Sequence, residues 1–523
     1  MRKFNVTGLC VPEMHYMVDI SGKIRQIRDL IDDFSYFTIN RARQYGKTTI
    51  LAALERALKD DFIVASITFE TSGDSCFSSE EAFCAMFVKT VKRALEFSSA
   101  DDKYIEKWDN CNIRTFDNLS EHITMMCLDR PVILMIDEVD KTSNNRVFLQ
   151  FLSMLRSKYL LHGAGKDHTF QSVILAGVYD IKNIKLKMIQ EGAYTPGESE
   201  NKLYNSPWNI AVDFEVDMSF CPTEIASMLE VYESDQHTGM DVAAISNDIY
   251  IFTSGYPYLV SRICQHIHNK LKKEWTAAGV QNAVQIMIRE NNTLFDDIFK
   301  NLQNDVELNE MMYDLLIMGG SKSYTAQDPV VGAGLRYGII KHDKNTDRFV
   351  IANKIFEILI SNYFISIDSR RNNRVSGVLQ YDMLVNGKFD MELCLRKFAE
   401  HYAEIYSNND MSFLERHGRL LFLSYLKPLI NGQGFYHIES QFTDMRRMDI
   451  VVDFGRQQFI IELRVWRGEQ YQHDAYEQLC AYLESKNAHE GYLLTFDFRK
   501  ERNKACTEQW LDIGGKRIFE VVV

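Results

Sequence analysis

The chain has no apolar run long enough to cross a bilayer. Nothing in its 523 residues approaches about 18 uninterrupted apolar positions, so no membrane contact is expected. The stretch Met1-Arg2-Lys3-Phe4-Asn5-Val6-Thr7-Gly8 lacks an apolar h-region and gives no export signal. The ten cysteines (Cys10, Cys76, Cys84, Cys111, Cys127, Cys221, Cys264, Cys394, Cys480, Cys506) never fall as C-x-x-C. That scatter argues against structural zinc and suits reduced, mostly buried thiols in a cytoplasmic protein. A basic excess is missing as well: the net charge of −13 does not describe a general nucleic-acid binder. Most of the acidic excess lies upstream of residue 410. The nearly balanced remainder leaves room for a local basic groove. Internal repeats, low-complexity tracts and heptads are also absent. A hydrophobic fraction of 46% and an aromatic fraction of 12% are those of an ordinary globular chain. Length sets an expectation of about three domains, each large enough for its own core.

The most informative segment is Arg41-Ala42-Arg43-Gln44-Tyr45-Gly46-Lys47-Thr48-Thr49. It follows the short apolar run Tyr36-Phe37-Thr38-Ile39 and opens a helical stretch, residues 48–58. A strand entering a helix through a glycine-lysine-hydroxyl turn makes a phosphate cradle. Backbone N–H groups and the helix dipole hold the phosphates, Lys47 reaches the β/γ oxygens, and the Thr48 hydroxyl ligates Mg²⁺. The full pattern G-x-x-x-x-G-K-[ST] wants glycine where this chain has Arg41, so the loop is degenerate. A Gly-Lys-Thr helix start without a ligand is the competing explanation.

A second segment weakens that alternative. Pro131-Val132-Ile133-Leu134-Met135-Ile136-Asp137-Glu138 is an apolar run ending in two carboxylates. Apolar at every position, it predicts a strand buried on both faces, as in a parallel sheet between helical layers. Its carboxylates then stand at the C-terminal edge, where open α/β sheets bind ligands. Asp137 there holds Mg²⁺, and Glu138 polarises a water for attack on the γ-phosphate. A solvated turn is the bland reading of Asp-Glu after a strand. Its position about 90 residues after a phosphate loop favours ATP or GTP.

Residues 1–221 alternate strand and helix. Residues 62–69 read as a second strand, 80–97 as a helix, 172–177 as another buried strand, and 209–218, after Trp208, as one more. From Pro222 the pattern turns helical, with Thr223 as N-cap and Glu224 in the first turn. Helices followed by the hairpin around 337–352 suggest a winged helix over 300–367. Its protein-contact and DNA-contact readings stay level. The polar run 368–374 reads as a linker.

The last 110 or so residues hold a second constellation. Residues 413–429 form an amphipathic helix containing Glu415. Residues 448–453 and 458–465 read as two strands joined by a turn at Gly455. Asp449, Glu462 and Glu415 would gather one or two Mg²⁺ for displacement at phosphate. An ordinary ion pair of Asp449 with Arg446 or Arg447 is an equal alternative. Gln478 and Tyr482 share a helix face.

Together R-A-R-Q-Y-G-K-T-T (41–49), V-I-L-M-I-D-E-V-D (132–140), I-L-A-G-V-Y-D-I-K-N (174–183), S-P-W-N-I-A (206–211), G-Y-P-Y-L-V-S-R (255–262), R-M-D-I-V-V (447–452) and I-I-E-L-R-V-W (460–466) resemble the bacterial AAA-ATPase-like proteins. These join a P-loop ATPase of the AAA/STAND type to a C-terminal PD-(D/E)XK nuclease-like domain. The resemblance runs along almost the whole chain, and Arg41 is a usual feature of that family's loop. It implies a lid element at Gly255-x-Pro257, a sensor arginine at Arg262 and a polar sensor near Asp180. Arg156 is a candidate finger for a neighbouring subunit. It matches Glu415, Asp449 and Glu462 to the metal carboxylates, and Gln478 and Tyr482 to the Q-x-x-x-Y of RecB-type nucleases. One departure matters: the E-x-K lysine is Arg464 here. Arginine is bulkier, forked and never deprotonated, so it neutralises phosphate charge but is no base.

The expected fold is therefore α/β and multidomain. It comprises a P-loop doubly wound parallel sheet (1–221), a helical lid (222–299), the winged-helix unit (300–367) and a restriction-endonuclease-like α/β domain (375–523). The expected chemistry is Mg²⁺-dependent ATP hydrolysis. Arg43, Gln44, Tyr45, Gly46, Lys47, Thr48, Thr49 and Asp137 bind nucleotide, and Glu138, Lys47 and Arg262 carry catalysis. It is coupled to a DNA-handling C-terminal domain, with defence against mobile DNA as a setting by analogy and a homo-oligomer as a compatible assembly. Two rivals remain: a nucleotide-gated switch presenting the winged helix to a protein partner, and a nuclease for which the ATPase is only regulatory.

Overall fold

The computed structural model describes residues 2–98, 102–108, 113–139, 146–177, 208–318, 325, 327–343, 348–371, 383–385, 388–405, 415–430, 434–440, 448–454, 457–497, 499 and 506–523. The chain divides into two compact units. The first takes Met1–Tyr250, Ser254–Trp275 and Leu335–Gly338; the second takes Ile251–Thr253, Thr276–Gly334 and Ile339–Val523.

In the first unit, strands β1 (Phe37–Asn40), β2 (Ile63–Thr68), β3 (Val132–Asp137) and β4 (Ser172–Gly177) form one sheet in the order β1-β4-β3-β2. Every pairing is parallel, and β4 stands between the strand that enters the phosphate loop and the strand that carries the carboxylates. The sheet is apolar on both sides because successive residues go to opposite faces. Val64, Ile133, Met135, Ile174 and Ala176 share one core with helices α1 (Ser21–Asp32) and α2 (Lys47–Leu58). Ala65, Ile67, Leu134, Ile136, Val173 and Leu175 share the other, with α3 (Glu80–Phe97), the short α4 (Asp102–Glu106), α5 (Phe116–Cys127) and α6 (Arg146–Gly163). Two helical layers around one parallel sheet explain why these strands are continuous apolar runs. The helix starts are also written locally. Ser79 accepts the Ala82 N–H at the head of α3, with Glu80 and Glu81 in its first turn facing the dipole.

Three expectations are corrected. Residues 209–218 form no strand; Val212 alone bridges to Phe37, while Val216 and Met218 enter the core beside α2. The helix Pro222–Gln236 is capped by Cys221, not Thr223, and Glu224 turns back to accept the Cys221 N–H at 2.8 Å. Of the supposed linker 368–374, the first four residues continue the helix Lys354–Arg371, and the rest lie outside the described residues.

A buried ion pair between Lys158 and Asp167 takes in Thr124 of α5 and so fixes α6 to α5. Lys158, on α6, has a side chain 2% exposed and donates to Asp167 and to Thr124, each at 2.7 Å. Burial pushes the Asp167 pKa up, but Lys158, Thr124 and the His168 N–H outweigh it and hold it below its ordinary value. A carboxylate with a depressed folded pKa stabilises the protein above the unfolded pKa of 3.8 and loses that contribution as pH falls through the folded value. Lys158→Met should therefore cost about 3–5 kcal/mol at neutral pH and flatten the acid limb of the melting curve. An unchanged acid limb in thermal melts from neutral pH downward would contradict the assignment.

In the second unit the helices Thr293–Asn304, Val306–Tyr313 and Pro329–Arg336 precede an antiparallel hairpin, β5 (Ile340–Asp343) with β6 (Arg348–Ile351). The helix Lys354–Arg371 follows. A two-stranded ribbon, β7 (Leu384–Val385) with β8 (Lys388–Phe389), precedes the C-terminal sheet. That sheet comprises β9 (Gly434–Ser440), β10 (Met448–Phe454), β11 (Gln457–Val465), β12 (Glu490–Phe496), β13 (Thr507–Ile513) and β14 (Lys516–Val522). Its order is β13-β14-β12-β11-β10-β9. The centre, β11-β12-β14, is parallel, and the flanking pairs are antiparallel. The helices Met391–Ile405 and Glu415–Ile430 cover one face, and the helix Glu469–Ser485 covers the other. Among the described residues no helix is long and apolar enough to cross a membrane.

Candidate functional site

The loop 41–46 turns sharply between β1 and α2. Gln44 (φ 56°) and Gly46 (φ 79°) both adopt left-handed backbone, the alternation that turns successive N–H groups inward into an anion-binding hollow. Gly46 also caps α2, leaving that helix's N-terminus at the hollow. Lys47 is buried at 9% exposure, and its ammonium donates to the loop's own carbonyls, Arg41 O at 2.9 Å and Ala42 O at 3.1 Å. Its charge is thus held over the loop.

The Thr48 hydroxyl donates to Asp137 Oδ2 at 2.7 Å. The two residues come from α2 and the end of β3, so this bond closes the edge of the sheet into one site. Asp137 is 7% exposed, and its other oxygen accepts the Glu138 N–H at 2.9 Å. That bond accompanies a left-handed Glu138 (φ 56°), a conformation that costs a non-glycine residue about 1 kcal/mol. It turns the backbone sharply between the two carboxylates. A hydroxyl and a buried carboxylate in contact, beside a lysine and a helix N-terminus, suit a divalent cation and a polyphosphate.

Arg41, which stands where the loop pattern wants glycine, leaves the hollow. Its guanidinium donates to Val216 O at 2.9 Å and lies 5.4 Å from the centre of the Phe214 ring. Burial lowers its pKa from the ordinary value. The side chain staples the loop to residues 214–216 and does not fill the cradle.

Tyr256, within the Gly255-x-Pro257 element, contacts the same loop. Tyr256 donates from its hydroxyl to Arg43 O at 2.5 Å, and its ring meets Tyr45 edge-on at 4.5 Å. Burial raises the Tyr45 pKa, with Asp217 adding to the shift. Gly255 (φ 74°) and Pro257 place Tyr256 there; Pro257 begins the helix Pro257–Asn269, on which Arg262 lies. Thr49 accepts the Cys10 N–H at 3.3 Å, which brings Cys10 against the start of α2. Nothing in the sequence signalled Tyr256 or Cys10, because both contacts are long-range. Arg156 lies on α6 with its Nε buried and lacking a hydrogen bond. Asp180 lies outside the described residues.

In the second unit the register that pairs Ile450 with Ile461 sets Asp449 and Glu462 one position further along on adjacent strands. Glu415 is the first residue of its helix; the side chains of Glu415 and Asp449 are outside the description. Glu462 and Arg464, both buried, lie 2.6 Å apart (Oε1 to Nε) in an ionic contact without hydrogen-bond alignment. Arg464 also donates to Gln478 Oε1 at 3.0 Å and to the Tyr471 hydroxyl at 3.2 Å. Tyr482 sits in the apolar cluster with Val451, Ile460 and Leu479. Glu462 thus has a cation beside it, and among the described residues no group of three or more acidic, His or Cys side chains forms a metal site.

A family described as AAA-like domain matches residues 16–348. Solved structures with similarity include a Walker-type ATPase of Pyrococcus abyssi, at 12% identity and TM-score 0.44, covering 68% of this chain and 99% of that one. The ORC2 protein of Aeropyrum pernix, in ADPNP-ADP complexes, matches at 10% identity and TM-score 0.34, over 66% and 95% of the two chains. The RuvB Holliday junction branch migration motor of Thermotoga maritima matches at 12% and 0.32, over 65% and 94%. No curated protein is significantly similar.

Proposed function

The chain belongs to the AAA-like family, whose match spans residues 16–348, and from that premise we propose that its first unit binds ATP with Mg²⁺ and hydrolyses it. The observation that carries this reading is the 2.7 Å bond between Thr48 and Asp137, which joins the phosphate loop to the acidic end of β3. The loop N–H groups and the head of α2 receive the phosphates, and Lys47 exchanges its two loop carbonyls for β/γ oxygens. Thr48 and Asp137 would hold Mg²⁺, which would neutralise the charge gathered on the phosphates. Glu138 orients the attacking water and takes its proton. Arg262 brings a permanent positive charge from the lid to the γ-phosphate, where charge develops in the transition state.

On the same reading the hairpin β5–β6 with its helices is a winged helix, and the C-terminal sheet is a PD-(D/E)XK nuclease-like module. The module binds nucleic acid without cutting it, because Arg464 occupies Glu462. Plasmid incubated with the chain and Mg²⁺ or Mn²⁺ should be nicked no faster than with Asp449→Ala. Metal-dependent nicking that Asp449→Ala removes would reinstate the nuclease.

The decisive test of the main reading is phosphate release by the intact chain in Mg²⁺, with and without plasmid or single-stranded DNA. Turnover stimulated by DNA supports a coupled ATPase. Tight ATP binding without release converts the reading to a nucleotide-gated switch, and neither binding nor release refutes it.

A further inference from the structure

Gln265 is where the lid arginine and the N-terminal segment meet. It lies three positions after Arg262 on the helix Pro257–Asn269, so the two side chains share a face. Arg262 donates from Nη1 to Gln265 Oε1 at 2.7 Å, and Gln265 donates from Nε2 to the Phe4 carbonyl at 3.2 Å. Both ends of the amide are engaged, and only one orientation offers oxygen to the guanidinium and nitrogen to the carbonyl.

Phe4 is a firm anchor. It is 3% exposed, and its ring lies 5.0 Å from Tyr16, 5.1 Å from Tyr232 and 6.1 Å from Trp275. From this aromatic box the segment runs on to Cys10, whose N–H reaches Thr49 on α2. A line of contacts therefore connects Arg262, through Gln265 and residues 4–10, to the residue following Thr48. A solvated surface pair would explain the bond between Arg262 and Gln265. It would not explain a second bond from the same half-buried amide to a carbonyl 261 positions away.

We propose that Gln265 is a positioning residue for ATP hydrolysis: it holds the Arg262 guanidinium in one rotamer, at a place set by the N-terminal segment. The inference rests on the reading of Arg262 as the lid arginine at the γ-phosphate. An arginine side chain carries much rotamer freedom, and a preset donor fork loses less of it when transition-state charge appears. The effect therefore falls on kcat and leaves ATP affinity nearly untouched.

The test compares wild type, Arg262→Ala, Gln265→Leu, Gln265→Ala, Gln265→Glu and the double variant R262A/Q265L in the full chain, reading kcat, ATP Kd and melting temperature. Gln265→Leu and Gln265→Ala should each lower kcat about tenfold with Kd changed by no more than about twofold. Whichever of the two melts above the assay temperature decides this arm. Gln265→Glu keeps an acceptor for Arg262 but loses the donor to the Phe4 carbonyl, so its kcat should recover in part, above that of Gln265→Leu and Gln265→Ala. The double variant should be no slower than Arg262→Ala alone, because the second residue acts through the first. Additive losses, a wild-type kcat in Gln265→Leu or Gln265→Ala, or no recovery in Gln265→Glu overturns the assignment and leaves Arg262 standing. An Arg262→Ala chain at wild-type kcat, beside an inactive Lys47→Ala, removes the role of Arg262 and that of Gln265 with it.

Discussion

Lys47→Ala should abolish ATP turnover, by about 10²–10³-fold, while the chain stays folded. The ammonium is held by two loop carbonyls, Arg41 O and Ala42 O. Removing it would take away the cation proposed to meet the phosphate oxygens and leave two carbonyls that water can satisfy. The cost to stability is about 1–2 kcal/mol, far less than the catalytic loss. Glu138→Gln separates binding from chemistry: it keeps the shape beside Asp137 but cannot accept a proton, so ATP should bind and persist. Steady-state phosphate release, nucleotide binding and thermal melting on the three chains check this together. A Lys47→Ala chain that keeps more than a tenth of wild-type turnover would remove the loop from its assigned role.

Gly255→Ala should be strongly destabilising for a single added methyl group. Gly255 has φ of +74°, and an added Cβ would stand 1.9 Å from Phe220 O and 2.7 Å from Phe220 C and N. Those are backbone atoms, and Phe220 cannot retreat freely because its N–H donates to Gly255 O at 2.8 Å. The expected cost is about 4 kcal/mol or more, with a fall in melting temperature of about 10 °C. Turnover should fall too, since Tyr256, the next residue, loses its place on Arg43. Gly239→Ala is the control. Its φ is +75° but nothing lies within 4 Å of the added atom, so only left-handed strain of about 1–2 kcal/mol applies. Equal melting temperatures for the two variants would show that the contact with Phe220 is not rigid.

The strands were legible where burial is two-sided. β3 and β4 carry apolar residues at nearly every position, and no helical face or loop needs that. Residues 209–218 show the limit of the same reasoning. Ile210, Val212, Phe214, Val216 and Met218 alternate as a strand would, yet the alternation serves anchoring. Phe214 stacks on Phe37 at 5.6 Å, and Val216 and Met218 enter the core beside α2. At the site, Lys47, Thr48 and Asp137 were readable because a local motif and a strand end encode them. Arg41 read as a phosphate-loop residue, whereas its side chain leaves the loop for Val216, 175 positions away. Tyr256 on Arg43 was invisible for the same reason, since local patterning carries no signal for a partner 213 positions distant. For Asp449 the sequence left a metal ligand and an ion pair with Arg446 or Arg447 open, and it read Glu462 only as a metal ligand; the structure sets Arg464 beside Glu462.

The strand order β1-β4-β3-β2 also governs how the protein is made. β1 has no sheet neighbour until β4 exists, and roughly 140 residues separate Phe37 from its partner Ile174; at ribosomal speed that is a wait on the order of ten seconds. During that interval the nascent phosphate loop hangs from an apolar strand with both edges open, the condition under which chains aggregate or recruit chaperones. A fragment ending before Ser172 would carry every loop residue from Arg41 to Thr49 together with Asp137 and Glu138. It would still have no completed sheet to hold them, so expression of this ATPase half in soluble form depends on carrying the chain past β4 and on to Val212.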